Sequence, residues 1–502
     1  MSRRRKDTGQ LPLALDAATA DGPGGAETPP AAGEGTDAYE AFLATKATVA
    51  PPAGFEPRRP MPQAIKPFQQ DIVTWACRRG RAAVFAGTGL GKTLMELSWA
   101  DQVVHETQGG VLLFTPLAVA EQTVQEAAKF GVPGVAYAAD QSAISSPIAV
   151  TNFERRDKFD IGSFPGVVLD ESGIIKDHDS RTRVDLTEAC RRVPYLFCGS
   201  ALPAPNDWTE LGQHSEFLGV MSAKEMLAMF FVHDGSVRAK AEEEWRLKRH
   251  AAPDFWRWVA SWAVMIRHPR DMGYDEPGYD LPPLDIRQVT VDTGHVVEPG
   301  GTLFPTQAAT MSERIGARRD SIDARVAAAA EVVASKPDEP WLIWCNLNAE
   351  AEALYRAIPG AVNVQGSDPT DTKIRNLLGF AQGDPLNLIS KPSIAGRGMN
   401  WQHCANMVFV GLNDSFEQLY QAIRRCWRFG QMRPVTAWLI ASDREGAVVA
   451  NLAAKEAKYE AMASAMAEHM RDLTVANIRG GRVATTFHTP DKPMELPAWL
   501  AA

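Results

Sequence analysis

The sequence predicts an α/β protein in which two parallel-sheet lobes follow one another, with a helical insertion between them. Three observations carry that expectation. Short apolar runs alternate with helix-patterned stretches over residues 59–215. The same alternation returns over 312–475, and the segment between is different in character and rich in tryptophan. Continuous apolar runs bounded by turn residues suit strands buried on both faces, as in a parallel sheet covered by helices.

The chain has 502 residues, enough for several domains. Residues 1–58 are rich in Ala, Gly, Pro and Thr without periodicity, which predicts a disordered tail. Its Arg3, Arg4, Arg5 and Lys6 offer a small nucleic-acid tether as the alternative. In the first lobe, AAVF (Ala82 to Phe85), GVLLF (Gly110 to Phe114), PIAV (Pro147 to Val150), GVVLD (Gly166 to Asp170) and YLFC (Tyr195 to Cys198) predict buried strands. Stretches such as TLMELSWADQVVHE predict helices between them. Over 216–275, EMLAMFFVHD, EEEWRLKRH and DFWRWVASWAVMI read as helices, with Trp245, Trp256, Trp258 and Trp262 in an aromatic core. The alternative is a nucleic-acid grip through Arg246, Lys248, Arg249 and Arg257. A Pro/Gly-rich connector is expected over 276–311.

In the second lobe the strand candidates are WLIWC (Trp341 to Cys345), AVNVQ (Ala361 to Gln365), LNLIS (Leu386 to Ser390), MVFVG (Met407 to Gly411) and VTAWLI (Val435 to Ile440). A helix over about 444–474 is expected to pack back on the body, followed by a tail over 476–502. The net charge of −9 speaks against a basic coat for nucleic acid but leaves room for a locally basic groove. No apolar run reaches the roughly 18 residues of a membrane span, and no signal peptide is read, so a cytoplasmic protein without a membrane partner is expected. The six cysteines are scattered without zinc or redox spacing and read as reduced buried thiols.

The chemistry-bearing motifs begin with AGTGLGKT (Ala86 to Thr93). A glycine-rich turn between strand and helix lets main-chain N–H groups converge on phosphate oxygens, with the helix dipole behind them. Gly87, Thr88, Gly89, Leu90, Gly91, Lys92 and Thr93 are therefore expected to hold ATP, with Lys92 on the β- and γ-phosphates and the Thr93 hydroxyl on Mg²⁺. VVLDES (Val167 to Ser172) ends an apolar strand in two carboxylates. Asp170 is expected on the metal and Glu171 as the base that activates water. Gln69 in IKPFQQDIV offers a donor and an acceptor to one adenine edge. In QAIRRCWRFGQ (Gln421 to Gln431), Arg425 and Arg428 are expected on one helical face, which either reaches a γ-phosphate held by the other lobe or is a solvated basic face.

In this order the motifs resemble those of superfamily-two helicases, and within them the Swi/Snf-type ATPases, over about residues 61–460. The likeness runs through IKPFQ, GTGLGKT, LFTPLAVAEQTVQE, AVTNFERR, DESGIIKDHDSRTR, SALPAPND, LPPL, SIAGRGMNWQHCANMVF and QAIRRCWRFGQ, and looks closest to the compact phage and prophage helicases of this type. It implies two tandem RecA-like lobes and DNA-stimulated ATP hydrolysis in the cleft between them. It implies movement along DNA, duplex by preference, through sequence-independent backbone contacts. Gly396 is then expected beside ATP, and Pro116, Leu117, Thr151, Asn152, Ser390, Lys391 and Asn400 beside the nucleic acid. Protein partners in DNA replication, recombination or restriction go with it as candidates.

The sequence departs from the pattern in four places. Ala86 stands where Asp is frequent, and Arg424 where a small residue is usual. Ser172 and Gly173 stand where a DEAH box has Ala-His, so the link from nucleotide to the coupling motif must use other groups. Leu202 replaces a hydroxyl residue of that motif. These departures keep open a nucleotide-switched DNA-binding scaffold with weak hydrolysis and no movement. A small-molecule kinase would leave the second lobe unexplained.

Overall fold

The structure is a computed structural model that describes residues 52–117, 119–176, 180–205, 207–233, 245–292, 319–395, 399–411, 415–443 and 446–478. Most of the expected N-terminal tail, the C-terminal tail and Gly396 lie outside these residues.

Helix α1 (Pro67–Arg79) starts on proline, whose fixed φ suits the first helical position, and stops at Gly80 with φ +78°. Strand β1 (Arg81–Ala86) follows, and α2 (Lys92–Thr107) leaves the glycine-rich turn. Then come β2 (Val111–Thr115), α3 (Ala120–Phe130), β3 (Val135–Tyr137), β4 (Ile148–Asn152), β5 (Gly166–Asp170), α4 (Arg181–Ala189) and β6 (Tyr195–Ser200). The next elements are α5 (Leu211–Phe217), α6 (Ala223–Phe230), an antiparallel ribbon of β7 (Phe231–His233) and β8 (Trp245–Leu247), α7 (Ala252–Ala260) and β9 (Ala263–Ile266). The first sheet is parallel throughout and runs β3-β4-β2-β5-β6-β1-β9.

The second sheet is also parallel, in the order β10-β15-β14-β11-β13-β12. Its strands are β10 (Leu284–Val291), β11 (Trp341–Cys345), β12 (Ala361–Val364), β13 (Asn387–Ser390), β14 (Asn406–Val410) and β15 (Val435–Ser442). The helices placed among them are α8 (Ile322–Ala334), α9 (Asn348–Ala357), α10 (Thr370–Ala381) and α11 (Phe416–Ile423). Two RecA-like parallel-sheet lobes are therefore present, and every strand read from the sequence in either lobe is found.

Four segments differ from the sequence reading. EMLAMFFVHD is helical only to Phe230, and Phe231–His233 pair as a ribbon strand. DFWRWVASWAVMI is helical only to Ala260; Ser261 and Trp262 turn back, and Ala263–Ile266 become the edge strand beside β1. The apolar run continues across the turn, so periodicity alone could not show the change of element. EEEWRLKRH is not one helix: Trp245–Leu247 form a ribbon strand, and only Arg249 and His250 enter a short 3-10 turn. Leu284–Val291 lie within the expected connector, yet pair with all eight residues of β15. Their LDIRQVTV alternation is that of an edge strand with a wet face.

Alternate residues of each strand feed opposite faces. Ala82, Val84 and Ala86 of β1 pack under α1 and α2, while Ala83 and Phe85 face a second layer that includes Trp258 and Trp262. That second layer continues into the second lobe through Leu342, Trp344 and Phe409. Helix α12 (Gly446–Ile478) leaves the second lobe and returns across the first. Its Trp256–His469 ring stack at 5.8 Å and the Arg267–Glu460 ion pair at 2.6 Å fasten it there. All six cysteines are buried and free of disulfides. No described helix is long and apolar enough to cross a membrane.

Candidate active site

The glycine-rich turn sits at the end of β1. The Gly87 N–H donates to the carbonyl of Ile266 at 2.9 Å, so the edge strand β9 holds the turn's first residue. Gly89 and Gly91 have φ of +93° and +79°, which side chains rarely tolerate. A Cβ at Gly91 would stand 2.3 Å from Gln69 Nε2, and one at Gly89 would stand 2.8 Å from the main-chain nitrogen of Phe429 in the second lobe. The turn is thus bare backbone with a neighbour on either side. Gln69 is only 4% exposed; its Nε2 donates to the Leu90 carbonyl at 2.7 Å and its Oε1 accepts from Lys66 N–H at 2.8 Å. The amide assigned to adenine from the sequence is engaged at both ends by main chain, which makes it a support of the turn.

Lys92 Nζ lies 3.5 Å from Glu171 Oε1. Asp170, 5% exposed at the end of β5, has its carboxyl pushed up to about 7 by burial and by the Glu171 charge, against the pull of Lys92. Glu171 is one of two described non-glycine residues with positive φ, at +55°. Its successor Ser172 is fully buried, and Ser172 Oγ lies 3.1 Å from Nε2 of His214 on α5. Burial pushes the His214 ring down to about 4, with the backbone of Glu210 acting against it.

Sequence reasoning missed two groups here. His214 carried no motif signal. Glu96, one turn after Lys92 on a helix that also carries Ser98, Asp101 and Gln102, carried none either. It is fully buried, its two oxygens have no hydrogen-bond partner among the described residues, and burial followed by the Asp170 charge raises its carboxyl well above the ordinary 4.5. The folded state therefore keeps a proton that the unfolded chain releases, so this group costs stability as pH rises above the unfolded value near 4.5. Glu96→Gln, which stays neutral in both states, should raise the melting temperature at pH 8 and lose that advantage towards pH 4. Melting curves at both pH values check this, and a variant less stable at pH 8 would contradict it.

In the second lobe, α11 ends at Ile423, and residues 424–430 form successive turns. Arg425 and Arg428 are therefore not on one helical face as expected; a helix would need the main-chain run that the Trp401 N–H to Arg425 carbonyl bond, 2.9 Å, diverts. Arg425 is 3% exposed and donates to the Gln421 carbonyl at 3.0 Å, Gln421 Oε1 at 3.1 Å and the Met399 carbonyl at 3.3 Å, all within its own lobe. Arg428 instead enters the cleft. Burial first, then Arg425, lower its guanidinium to about 10, while Glu126 and Glu171 of the first lobe draw it up. It donates to Asn400 Oδ1, and Asn400 Nδ2 donates to Glu126 Oε1 at 3.4 Å. A Lys176–Glu417 ion pair spans the lobes nearby. Beside the glycine-rich turn lies a cavity of about 590 Å³, lined on the second-lobe side by Arg424, Trp427 and Phe429.

Residues 324–430 match the family model of the helicase conserved C-terminal domain. The helicase match runs from α8 through the turns that carry Arg425 and Arg428, so the arginine in the cleft belongs to the matched segment. A search of curated proteins finds no match. Among solved structures the chain is similar to the Sulfolobus solfataricus SWI2/SNF2 ATPase core in complex with dsDNA, at 17% identity and a TM-score of 0.38, covering 84% of this chain and 99% of that one.

The residues expected at nucleic acid are dispersed in burial. Leu117 is 64% exposed, while Pro116, Lys391 and Asn400 are half-buried. Lys391 donates to Asn348 Oδ1 at 2.6 Å. Thr151, Asn152 and Ser390 are fully buried at strand ends, with Ser390 Oγ donating to the Val364 carbonyl at 3.2 Å. Their side chains are closed off from a nucleic-acid strand in this conformation.

Proposed function

We propose that the chain hydrolyses ATP in the cleft between its lobes and uses the cycle to move along DNA. The single observation behind this reading is that Arg428, from the segment matching a helicase C-terminal domain, lies within electrostatic reach of Glu171, which itself stands against Lys92 of the glycine-rich turn. Phosphoryl transfer needs charge neutralisation and a positioned water, and these three groups supply both. Main-chain N–H groups of Gly87 to Gly91 would cradle the phosphates, and Lys92 would neutralise the β- and γ-oxygens. Glu171 would accept the proton of the attacking water, and Arg428 would meet the charge developing on the γ-phosphoryl group.

The residues present fit Mg²⁺. The Thr93 hydroxyl and the buried Asp170 carboxyl are hard oxygen donors, and the raised Asp170 value marks a carboxyl short of positive charge. When bound, the ion supplies charge neutralisation between the phosphates. Arg425 takes a supporting role on this reading, since its donors are held by its own lobe. ATP binding draws the lobes together and hydrolysis releases them, so that DNA-facing loops on both lobes alternate their grip. The preference for DNA, and the likeness to compact phage and prophage helicases, rest on the ordered motifs of the sequence.

ATP turnover measured with duplex DNA, single-stranded DNA and RNA at two salt concentrations tests the reading. Duplex DNA should stimulate most, and stimulation should fall steeply with salt as phosphate contacts are lost. RNA stimulating more than duplex DNA would overturn the DNA assignment. A triplex-displacement assay tests movement: hydrolysis without displacement would leave the nucleotide-switched scaffold, the reading that the departures at Ser172 and Leu202 suggest.

A further inference from the structure

The Glu171 backbone occupies the left-handed region at φ +55°. A non-glycine residue there is strained and persists only where its surroundings over-determine it. On one side the surroundings are plain: Asp170 ends β5 in register with Gly199 of β6. On the other side the chain turns at once into a short 3-10 segment, Ser172–Ile175. Ser172 is fully buried, and its hydroxyl meets His214 Nε2 at 3.1 Å. His214 is fully buried too, and packs T-shaped against Phe85, with ring centroids 5.3 Å apart at 83°. A hydroxyl both donates and accepts, so the bond forms with either ring tautomer. The same turn lies beside the coupling stretch, with a Cβ at Gly173 falling 3.6 Å from the Leu202 carbonyl oxygen.

The proposed mechanism uses neither Ser172 nor His214. The sequence lacks a histidine at Gly173, and an imidazole nevertheless reaches this turn from α5. We propose that His214 is a positioning residue for ATP hydrolysis: through Ser172 it locks the Glu171 backbone so that the carboxylate stays against Lys92 and the attacking water. The inference rests on the hydrolysis reading above, with Glu171 as the base. It joins the carboxylate turn to the helix that follows the coupling stretch, without a side chain at residue 173.

The test compares His214→Leu, Ser172→Ala, the double variant and His214→Gln in the full chain. The readouts are kcat and KM for ATP with duplex DNA, and thermal melting. Loss of the bond should lower kcat about 10- to 100-fold through misplacement of the base, with KM for ATP changed less than about twofold. His214→Leu and Ser172→Ala should fall alike. The double variant should be no worse than either, since both remove one bond. His214→Gln, whose amide can meet the hydroxyl, should recover most of kcat. Wild-type kcat in Ser172→Ala overturns the proposal, and this holds even if His214→Leu does not fold, because the serine change removes only an oxygen. Additive losses in the double variant, or no recovery with glutamine, also overturn it. Glu171→Gln in parallel separates the two readings: an active Glu171→Gln sinks the assignment of Glu171 as the base, whereas an inactive one beside a fully active Ser172→Ala sinks only the role of His214.

Discussion

Glu171→Gln should retain ATP binding and lower turnover by about 10²- to 10⁴-fold, the range expected on losing a general base. The amide preserves the shape of the side chain beside Lys92, so the phosphate turn has no reason to move. It also removes a negative charge close to where the phosphates would lie, so affinity should hold or tighten. Equilibrium binding of a fluorescent ATP analogue, alongside single-turnover hydrolysis, separates the two effects. Hydrolysis within about threefold of wild type would rule Glu171 out as the base. A parallel loss of binding would mean that the carboxylate organises the turn rather than the water.

Arg428→Ala should cost about 10³ to 10⁵ in kcat, the scale seen when an arginine that stabilises phosphoryl-transfer charge is removed. The cause lies in where the guanidinium sits. It is half-buried in the cleft, reached by the fields of Glu126 and Glu171, and steered by Asn400. Arg428→Lys should not restore the rate, because a compact ammonium cannot reproduce a planar fork. Arg425→Ala provides the contrast. Its donations to Gln421 and Met399 lie within the second lobe, so its loss should lower the melting temperature of the chain. Arg428→Ala should melt close to wild type. If Arg425→Ala melts normally while only its kcat falls, the roles given to the two arginines are reversed.

Both sheets were legible in the sequence because their strands are buried on two faces and therefore read as unbroken apolar runs. GVLLF, GVVLD and WLIWC are of this kind. The elements that escaped notice lie at the edges, where the signal is of a different kind. β9 is short and follows a helix of the same composition, and β10 alternates polar and apolar along a half-wet edge. At the candidate site, the glycine turn and the carboxylate pair were legible because their chemistry is local in sequence. Glu96, His214 and the fate of Gln69 were not, since each is defined by a neighbour that only folding brings near: Asp170, Ser172 and the Leu90 carbonyl. The division of labour between Arg425 and Arg428 could not be read either. It depends on the helix ending at Ile423, and both residues would share a face had it continued.

The hydrogen bond from Gly87 to Ile266 has a consequence for the order in which this protein is made. The strand that secures the phosphate turn lies far along the chain from the turn itself, beyond the ribbon and the tryptophan-bearing helix. During synthesis the first sheet stays open at β1 until residues 263–266 have left the ribosome. An N-terminal fragment ending near residue 215 would carry every residue of the glycine turn and the carboxylate pair, yet present β1 as a raw edge inviting association with other chains. A fragment intended to retain nucleotide binding should extend past Met272, so that the edge strand and the short turn after it are included.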